Sequence, residues 1–182
     1  NYNSFTWVNI RTPTYYEDLF EIVESDRGHL IGSTACLGGR AAKLIMEAYN
    51  ENPLQPNYTG IKKWLKRMDK CFGHGNFFLE LQPSKSQEQI IVNKALVEFS
   101  AELDIPYIIT TDAHYLKKED RPIHEAFLKS NEDSGKEREV GEFYATTYVM
   151  SEQEIHSYMD EFLGEEIVQK GLDNTMLIYN MV

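Results

Sequence analysis

The hydrophobic positions of this chain alternate between short continuous runs, typical of buried strands, and a three- and four-residue spacing, typical of helices. Three such runs predict strands over residues 29–33, 76–82 and 107–115. Helices are predicted before the first run and between the runs, because apolar residues recur on one helical face in those segments. Strand, helix, strand, helix, strand is the order that produces a parallel sheet or barrel, so the pattern predicts an α/β fold.

The segments between the predicted strands carry further helix signals. Before the second strand, one apolar stripe is formed by Ile61, Trp64, Leu65, Met68 and Phe72. After it, Ser86 and Gln89 have the spacing of a capping box at the start of a helix. The inward face of that helix is predicted to consist of Val92, Ala95, Leu96, Phe99 and Leu103.

Beyond residue 130 the alternation of strands and helices stops. A polar, charged loop leads into a β-prone run over residues 143–150, and Ser151 with Glu154 predicts a second capping box. A last helix is predicted over residues 165–182, with an interruption at Gly171.

The length of 182 residues fits one domain of ordinary size, or one domain with an appendage. We assign residues 1–139 to an α/β domain and residues 140–182 to a small α+β connector. The 42% hydrophobic content is enough for a core, and the net charge of −11 argues against attraction of the whole molecule to polyanions, although it allows a local basic face. Cys36 and Cys71 are too few for a disulfide scaffold and fit a reducing compartment. No apolar run reaches the roughly 20 residues that cross a bilayer, so we expect a cytoplasmic protein.

Candidate metal ligands follow the first and third predicted strands. Ligands of parallel α/β folds bind where the strands end at their carboxyl edge, and Cys36, Asp112 and His114 follow strands there. Because residues two apart in an extended chain point the same way, Asp112 and His114 are expected to leave the strand side by side. Thiolate, carboxylate and imidazole together favour zinc, or a mixed cluster with manganese or iron. Such a metal would activate water for phosphoester hydrolysis.

Each of these residues also has an ordinary structural interpretation. An aspartate that follows a strand often serves only to form a turn, and a histidine two residues later can be incidental. A lone cysteine often behaves as a small buried apolar residue. Glu80 either orients the metal site from the barrel interior or makes a structural hydrogen bond, because an unbonded carboxylate in a buried strand is costly. His124 is interpreted as a packing or capping histidine. The basic residues of 62–70 are interpreted as a solvated face, with a nucleic-acid backbone as the alternative partner.

Four segments in this order resemble the PHP domain of bacterial, phage or prophage DNA polymerase III alpha subunits. They are GHLIGSTACLGG, NFFLELQ, the stretch from VNKALVEF to HEAFL, and FYATTYVMSEQEI with DNTMLI. The resemblance extends from about Tyr15 to the last residue. It implies part of a distorted (β/α)7 barrel with a multinuclear site for zinc, manganese or iron at its mouth. Cys36, Asp112 and His114 match the family's ligands, and the segment after residue 140 matches the connector to the polymerase palm.

The chain also departs from the family pattern. The family's first metal motif, H-x-H, and the ligands that follow it have no counterpart here, so an incomplete barrel with weak metal binding is expected. Pro83, Ser84 and Lys85 replace a common Asp-His-Gly, and Arg40 stands where an acidic residue is common. The palm carboxylates, which hold magnesium, lie outside these residues.

The resemblance implies a parent protein that is a DNA-directed DNA polymerase acting on DNA and deoxynucleotides in replication. Its PHP domain is expected to be a metal-dependent phosphoesterase, such as a 3′–5′ proofreading exonuclease, or else a metal-free scaffold that docks an exonuclease or another replisome subunit. The fragment alone is expected to be inactive. A stand-alone phosphatase of the PHP superfamily is the alternative, which the connector-like stretch after residue 143 disfavours. No membrane partner is expected.

Overall fold

The computed structural model of the protein describes residues 15–130 and 142–182. Within them, three parallel strands form one sheet in the order β1 (Gly32–Ser33), β2 (Phe77–Leu81) and β3 (Tyr107–Ile109). The α/β class and the parallel arrangement are therefore confirmed. The strands of the described ranges are shorter than predicted, and the (β/α)7 barrel stays an expectation.

Helices precede, connect and follow these strands. In the described ranges they are α1 (Tyr16–Ser25), α2 (Arg40–Glu51), α3 (Thr59–Phe72), α4 (Gln87–Leu103), α5 (Arg121–Ser130), α6 (Glu152–Leu163), α7 (Glu165–Asp173) and α8 (Thr175–Tyr179), with 3-10 turns at Lys118–Asp120 and Glu142–Thr146. The first crossover, from β1 to β2, consists of α2 and α3, and the second, from β2 to β3, is α4. The predicted apolar face of α3 is confirmed, because Ile61, Leu65, Met68 and Phe72 are buried.

One apolar core lies between the helices and one face of the sheet. Alternate residues of β2 point into it, together with Tyr107 and Ile109 of β3. Ile155, Met159 and Val168, from the helices after residue 150, belong to the same core. The segment from α6 to α7 therefore packs against the sheet and helices formed by residues 15–130. Among the described helices, none is long and apolar enough to cross a membrane.

The two predicted capping boxes differ in completeness. At α6, Ser151 Oγ accepts from Glu154 N at 3.3 Å and the Glu154 carboxylate accepts from Ser151 N at 2.9 Å. These bonds lower the pKa of Glu154, the Ser151 backbone N–H being the main cause. At α4, Ser86 Oγ accepts from Gln89 N, but the Gln89 side chain donates to Asn93 instead of returning to the cap.

The β-prone run over residues 143–150 does not form a regular strand in the described part of the chain. Glu142–Thr146 forms a 3-10 turn, and within the described chain this run pairs only at Tyr148, in an isolated parallel bridge with Tyr115. A β-prone composition reflects packing on a pleated, half-buried surface. Here the buried Thr147 and Tyr148 pack against the loop after β3, which does not continue the strand.

The prediction that Gly171 interrupts the last helix is wrong. α7 runs through Gly171, and the break comes at Asn174, between α7 and α8. A Cβ atom at Gly171 would lie 2.8 Å from Ile109 Cδ1 and 3.1 Å from Tyr107 Cε2. Glycine therefore allows α7 to approach β3 closely, and Asn174 Nδ2 donates to the Tyr107 carbonyl at 2.7 Å.

Candidate metal centre

The loops that follow the three strands meet at the carboxyl edge of the sheet. Parallel strands end on the same side, so the topology places Cys36, after β1, and Asp112, after β3, at one edge, as the sequence predicted. A small cavity of about 10 Å³ is lined by residues from all three loops, including Leu37, Gln82 and Thr111. Two of these are chain neighbours of the candidate ligands Cys36 and Asp112.

Cys36 lies in a tight turn between β1 and α2. Ala35 has a φ of +58°, and Gly39 N donates to the Cys36 carbonyl at 2.8 Å. A Cβ atom at Gly39 would lie 2.7 Å from the Thr34 carbonyl oxygen, so the turn requires glycine there. The Cys36 side chain is a partly exposed free thiol. The turn therefore fixes the backbone of Cys36, and the residue stays partly exposed.

The backbone after β3 is not extended. Thr110 N still donates to the Leu81 carbonyl at 3.1 Å, but Asp112 has a φ of +47° and so adopts the left-handed conformation that aspartate tolerates. The two-residue periodicity of a strand does not hold there. The extended backbone from which Asp112 and His114 were expected to leave the strand side by side is therefore absent.

The turn instead brings His114 onto the backbone of Asp112. His114 Nδ1 lies 2.5 Å from the Asp112 carbonyl oxygen. A carbonyl only accepts, so Nδ1 carries the proton, and in the neutral ring Nε2 presents its lone pair. Metal-binding histidines usually donate their other ring N–H to a carbonyl or carboxylate in this way. His114 therefore has the Nδ1-protonated tautomer, in which the lone pair that could bind a divalent metal is on Nε2.

A segment distant in sequence holds this loop in place. His114 N donates to the Thr147 carbonyl at 2.8 Å, and Tyr115 OH donates to the Tyr144 carbonyl at 2.5 Å. Burial raises the pKa of Tyr115. About thirty residues separate the two segments, and neither hydrophobic spacing nor a motif links them, so sequence reasoning missed Tyr144 and Thr147.

His124, on α5, packs against this loop, in agreement with its interpretation as a packing histidine. Its ring centroid lies 5.7 Å from that of His114, 5.0 Å from that of Tyr144 and 5.4 Å from that of Tyr115. His124 Nδ1 is buried and has no hydrogen-bond partner among the described residues. Among the described residues, the position of His124 is therefore explained by ring packing and not by a hydrogen bond at Nδ1.

Glu80 lies at the centre of a hydrogen-bond network that joins the three strands. Its carboxylate accepts from Ser33 Oγ at 2.5 Å, from Thr110 Oγ1 at 2.6 Å and from Gln82 Nε2 at 3.2 Å. Its backbone N donates to Thr34 Oγ1 at 2.8 Å. These contacts support the structural interpretation of Glu80. Because they lie next to the carboxyl edge, they also fix the strand ends from which the candidate ligands emerge.

The candidate ligands do not form a complete site by themselves. Residues 15–130 and 142–182 contain no group of three or more histidine, cysteine, aspartate or glutamate side chains that could hold a metal ion. Individually, Cys36, Asp112 and His114 have suitable chemistry and a shared edge. Their role as ligands stays a prediction that requires further donors.

Comparison with known proteins gives a consistent set of relatives, although no family model matches the chain. The chain is 38% identical over 187 aligned positions, covering 99% of its length, to the probable DNA polymerase YorL of Bacillus subtilis and to the DNA-directed DNA polymerase of Bacillus phage SPbeta. It is 27% identical over 163 positions to the DNA polymerase III subunit alpha of Aquifex aeolicus, covering 86% of the chain. The chain spans only 14% of the first two relatives and 13% of the third.

Proposed function

Since this chain belongs with the bacterial and phage DNA polymerases of the polymerase III alpha type, we propose that it forms the metal-binding phosphoesterase domain of such an enzyme. The supporting observation is the contact between His114 Nδ1 and the Asp112 carbonyl, the kind of contact that orients the ring of metal-binding histidines. The relatives reported above are all named as DNA polymerases, so we rank the stand-alone phosphatase below this proposal.

Cys36, Asp112 and His114 would hold a divalent cation (zinc, manganese or iron) together with ligands from elsewhere in the protein. When bound, such a metal lowers the pKa of a coordinated water and stabilises charge on a phosphoryl oxygen. The chain's own contribution is positional. The turn at Gly39 fixes Cys36, the Asp112 carbonyl fixes the tautomer of His114, and the Glu80 network holds the strand ends together.

The reaction that suits such a site is hydrolysis of a terminal phosphodiester, as in 3′–5′ proofreading. DNA and deoxynucleotides are the substrates of the whole enzyme in this proposal, and nucleotide addition would take place at a magnesium site outside these residues. A replication enzyme of this kind would work in the bacterial cytoplasm. The 182 residues alone would be inactive, because the ligand set is incomplete within the described ranges.

A second candidate function is a scaffold that docks an exonuclease or another replisome subunit. The observation that favours it is α5, none of whose residues is buried. Ile123 and Phe127 are 70% and 61% exposed on this helix, and the nearby Leu116 is 71% exposed. Several large apolar side chains exposed in one region are typical of an interaction surface.

The two candidates are separated by Asp112→Asn in the full-length polymerase. This change removes an anionic ligand but keeps the shape of the side chain, so bound metal should drop sharply and hydrolysis of a 3′-labelled DNA strand should fall by orders of magnitude. Nucleotide addition should persist. Asp104→Asn is the matched control, because Asp104 is exposed at the opposite end of the sheet, before β3.

Metal content is measured by mass spectrometry, and hydrolysis by release of the terminal nucleotide. A scaffold would respond differently, with lower thermal stability and a proportional loss of polymerisation. Unchanged metal content and unchanged hydrolysis in an Asp112→Asn, His114→Ala double variant would rule out the catalytic proposal.

A further inference from the structure

One face of α3 carries positive charge that contrasts with the acidic chain. Lys63, Lys66, Arg67 and Lys70 are all exposed, and their spacing places them within an arc of about 100° on the helix. We name these four residues the basic stripe. The stripe is about 10 Å long, at about 1.5 Å per residue. The net charge of the chain is −11, so this concentration of cations departs from the composition.

The three lysines of the stripe form no ion pair within 4.0 Å in the described part of the chain. Its ion pairs include Lys62 with Glu102, but none involves Lys63, Lys66 or Lys70. Within the stripe, like charges stand three or four residues apart, an arrangement that destabilises a helix. The stripe therefore lowers the stability of α3 unless it meets an anion.

The stripe is also held on a rigid support. The opposite side of α3 is anchored in the core by Ile61, Leu65 and Met68. The Arg67 guanidinium lies 4.2 Å from the centroid of the Phe20 ring on α1, which fixes the direction of that side chain. Cations displayed on a packed helix lose little backbone entropy when they bind.

We propose that the basic stripe binds the phosphate backbone of duplex DNA. One strand of B-DNA carries a phosphate about every 3.4 Å along the helix axis, so a stripe of about 10 Å faces about three phosphates. Such contacts position a duplex without reading its sequence. The stripe lies on a crossover helix and the candidate ligands lie at the carboxyl edge, so its role is to hold DNA and not to take part in chemistry. The choice of DNA as the polyanion rests on the proposed function.

The test is the salt dependence of DNA binding by the full-length protein. Binding of a fluorescein-labelled duplex is followed by anisotropy across a series of potassium chloride concentrations. The test variant is Lys63→Gln, Lys66→Gln, Lys70→Gln. The control is Lys43→Gln, Lys94→Gln, Lys129→Gln, which removes the same charge from exposed positions of α2, α4 and α5.

In the test variant, the slope of log affinity against log salt should become shallower by about 2 to 3, close to 0.9 for each lost phosphate contact. The control should keep the wild-type slope. Equal slopes in both triple variants, with both folded by circular dichroism, would overturn the proposal. So would a change confined to single-stranded DNA or RNA.

A separate readout distinguishes this inference from the proposed function. Hydrolysis of bis-p-nitrophenyl phosphate, which is too small to reach both the stripe and the carboxyl edge, should be unaffected by the test variant. If the protein hydrolyses no phosphodiester but the slope still changes, the stripe binds DNA and the phosphoesterase proposal fails. If hydrolysis occurs and the slope is unchanged, the phosphoesterase proposal is supported and the stripe does not bind DNA.

Discussion

Replacing Gly171 by alanine tests how closely α7 must approach the sheet. The added Cβ would lie 2.8 Å from two side-chain carbons of Ile109, Cδ1 and Cγ1. Carbon atoms in contact normally stand about 3.5–4.0 Å apart, so either α7 or Ile109 must move by about 1 Å. Ile109 is 3% exposed and has no solvent to move into. We therefore expect Gly171→Ala to destabilise the protein.

The magnitude follows from two opposing effects. Overpacking of a filled core costs about 1–3 kcal/mol. The higher helix propensity of alanine than of glycine stabilises α7 by at most about 1 kcal/mol. The net loss should be up to about 2 kcal/mol, and for a protein of this size each kcal/mol lowers the Tm by about 2–4 °C. The assay is thermal unfolding followed by circular dichroism at 222 nm, the usual helix signal.

Gly60→Ala is the matched control. Gly60 lies in α3, and a Cβ atom there would meet no atom within 4 Å. This variant should be at least as stable as the wild type, because it gains helix propensity without a clash. Adding Ile109→Val to Gly171→Ala removes Cδ1, so the double variant should lose less stability than the sum of the single variants. A Gly171→Ala protein as stable as Gly60→Ala would refute the close approach of α7 to β3.

Two further predictions concern histidines. The hydrogen bond to Asp160 raises the pKa of His156, and its other ring nitrogen faces Gln169. Its contribution to stability should be complete below about pH 6.5 and lost as the pH rises through the raised pKa. The Tm difference between wild type and His156→Gln should therefore shrink between about pH 6 and pH 9, and a constant difference would contradict this assignment. His124→Phe keeps the packed ring but removes a buried nitrogen without a partner in the described ranges, so the Tm should rise by about 2–4 °C. A fall as large as that of His124→Ala would show instead that the nitrogen is bonded.

The sheet and its edge could be predicted because they depend on local patterns and a general rule. Hydrophobic spacing within α3 and α4 is a local property of the chain, and both helices fold as predicted. Parallel order follows from the alternation of strands and helices. Together these two properties are enough to predict that Cys36 and Asp112 lie at the same edge of the sheet.

The detailed geometry of the candidate site could not be predicted in the same way. The left-handed conformation of Asp112 is one that aspartate tolerates but does not require, and hydrophobic spacing does not encode it. The contact of His114 with Thr147 joins residues that are distant in sequence. Gly171 suggested a helix break because glycine is a poor helix former, but the missing side chain serves packing against β3.

The hydrogen-bond network of Glu80 has a consequence for how the chain folds. Its carboxylate joins Ser33, 47 residues earlier, to Thr110, 30 residues later. These bonds can form only after both crossover connections have closed, and the entropy of closing them is lost before the bonds are gained. The helices within the crossovers depend on local contacts and can form sooner. Interactions that are absent from the transition state for folding act mainly on the unfolding rate. The Glu80 network should therefore have little effect on the folding rate and should mainly slow unfolding.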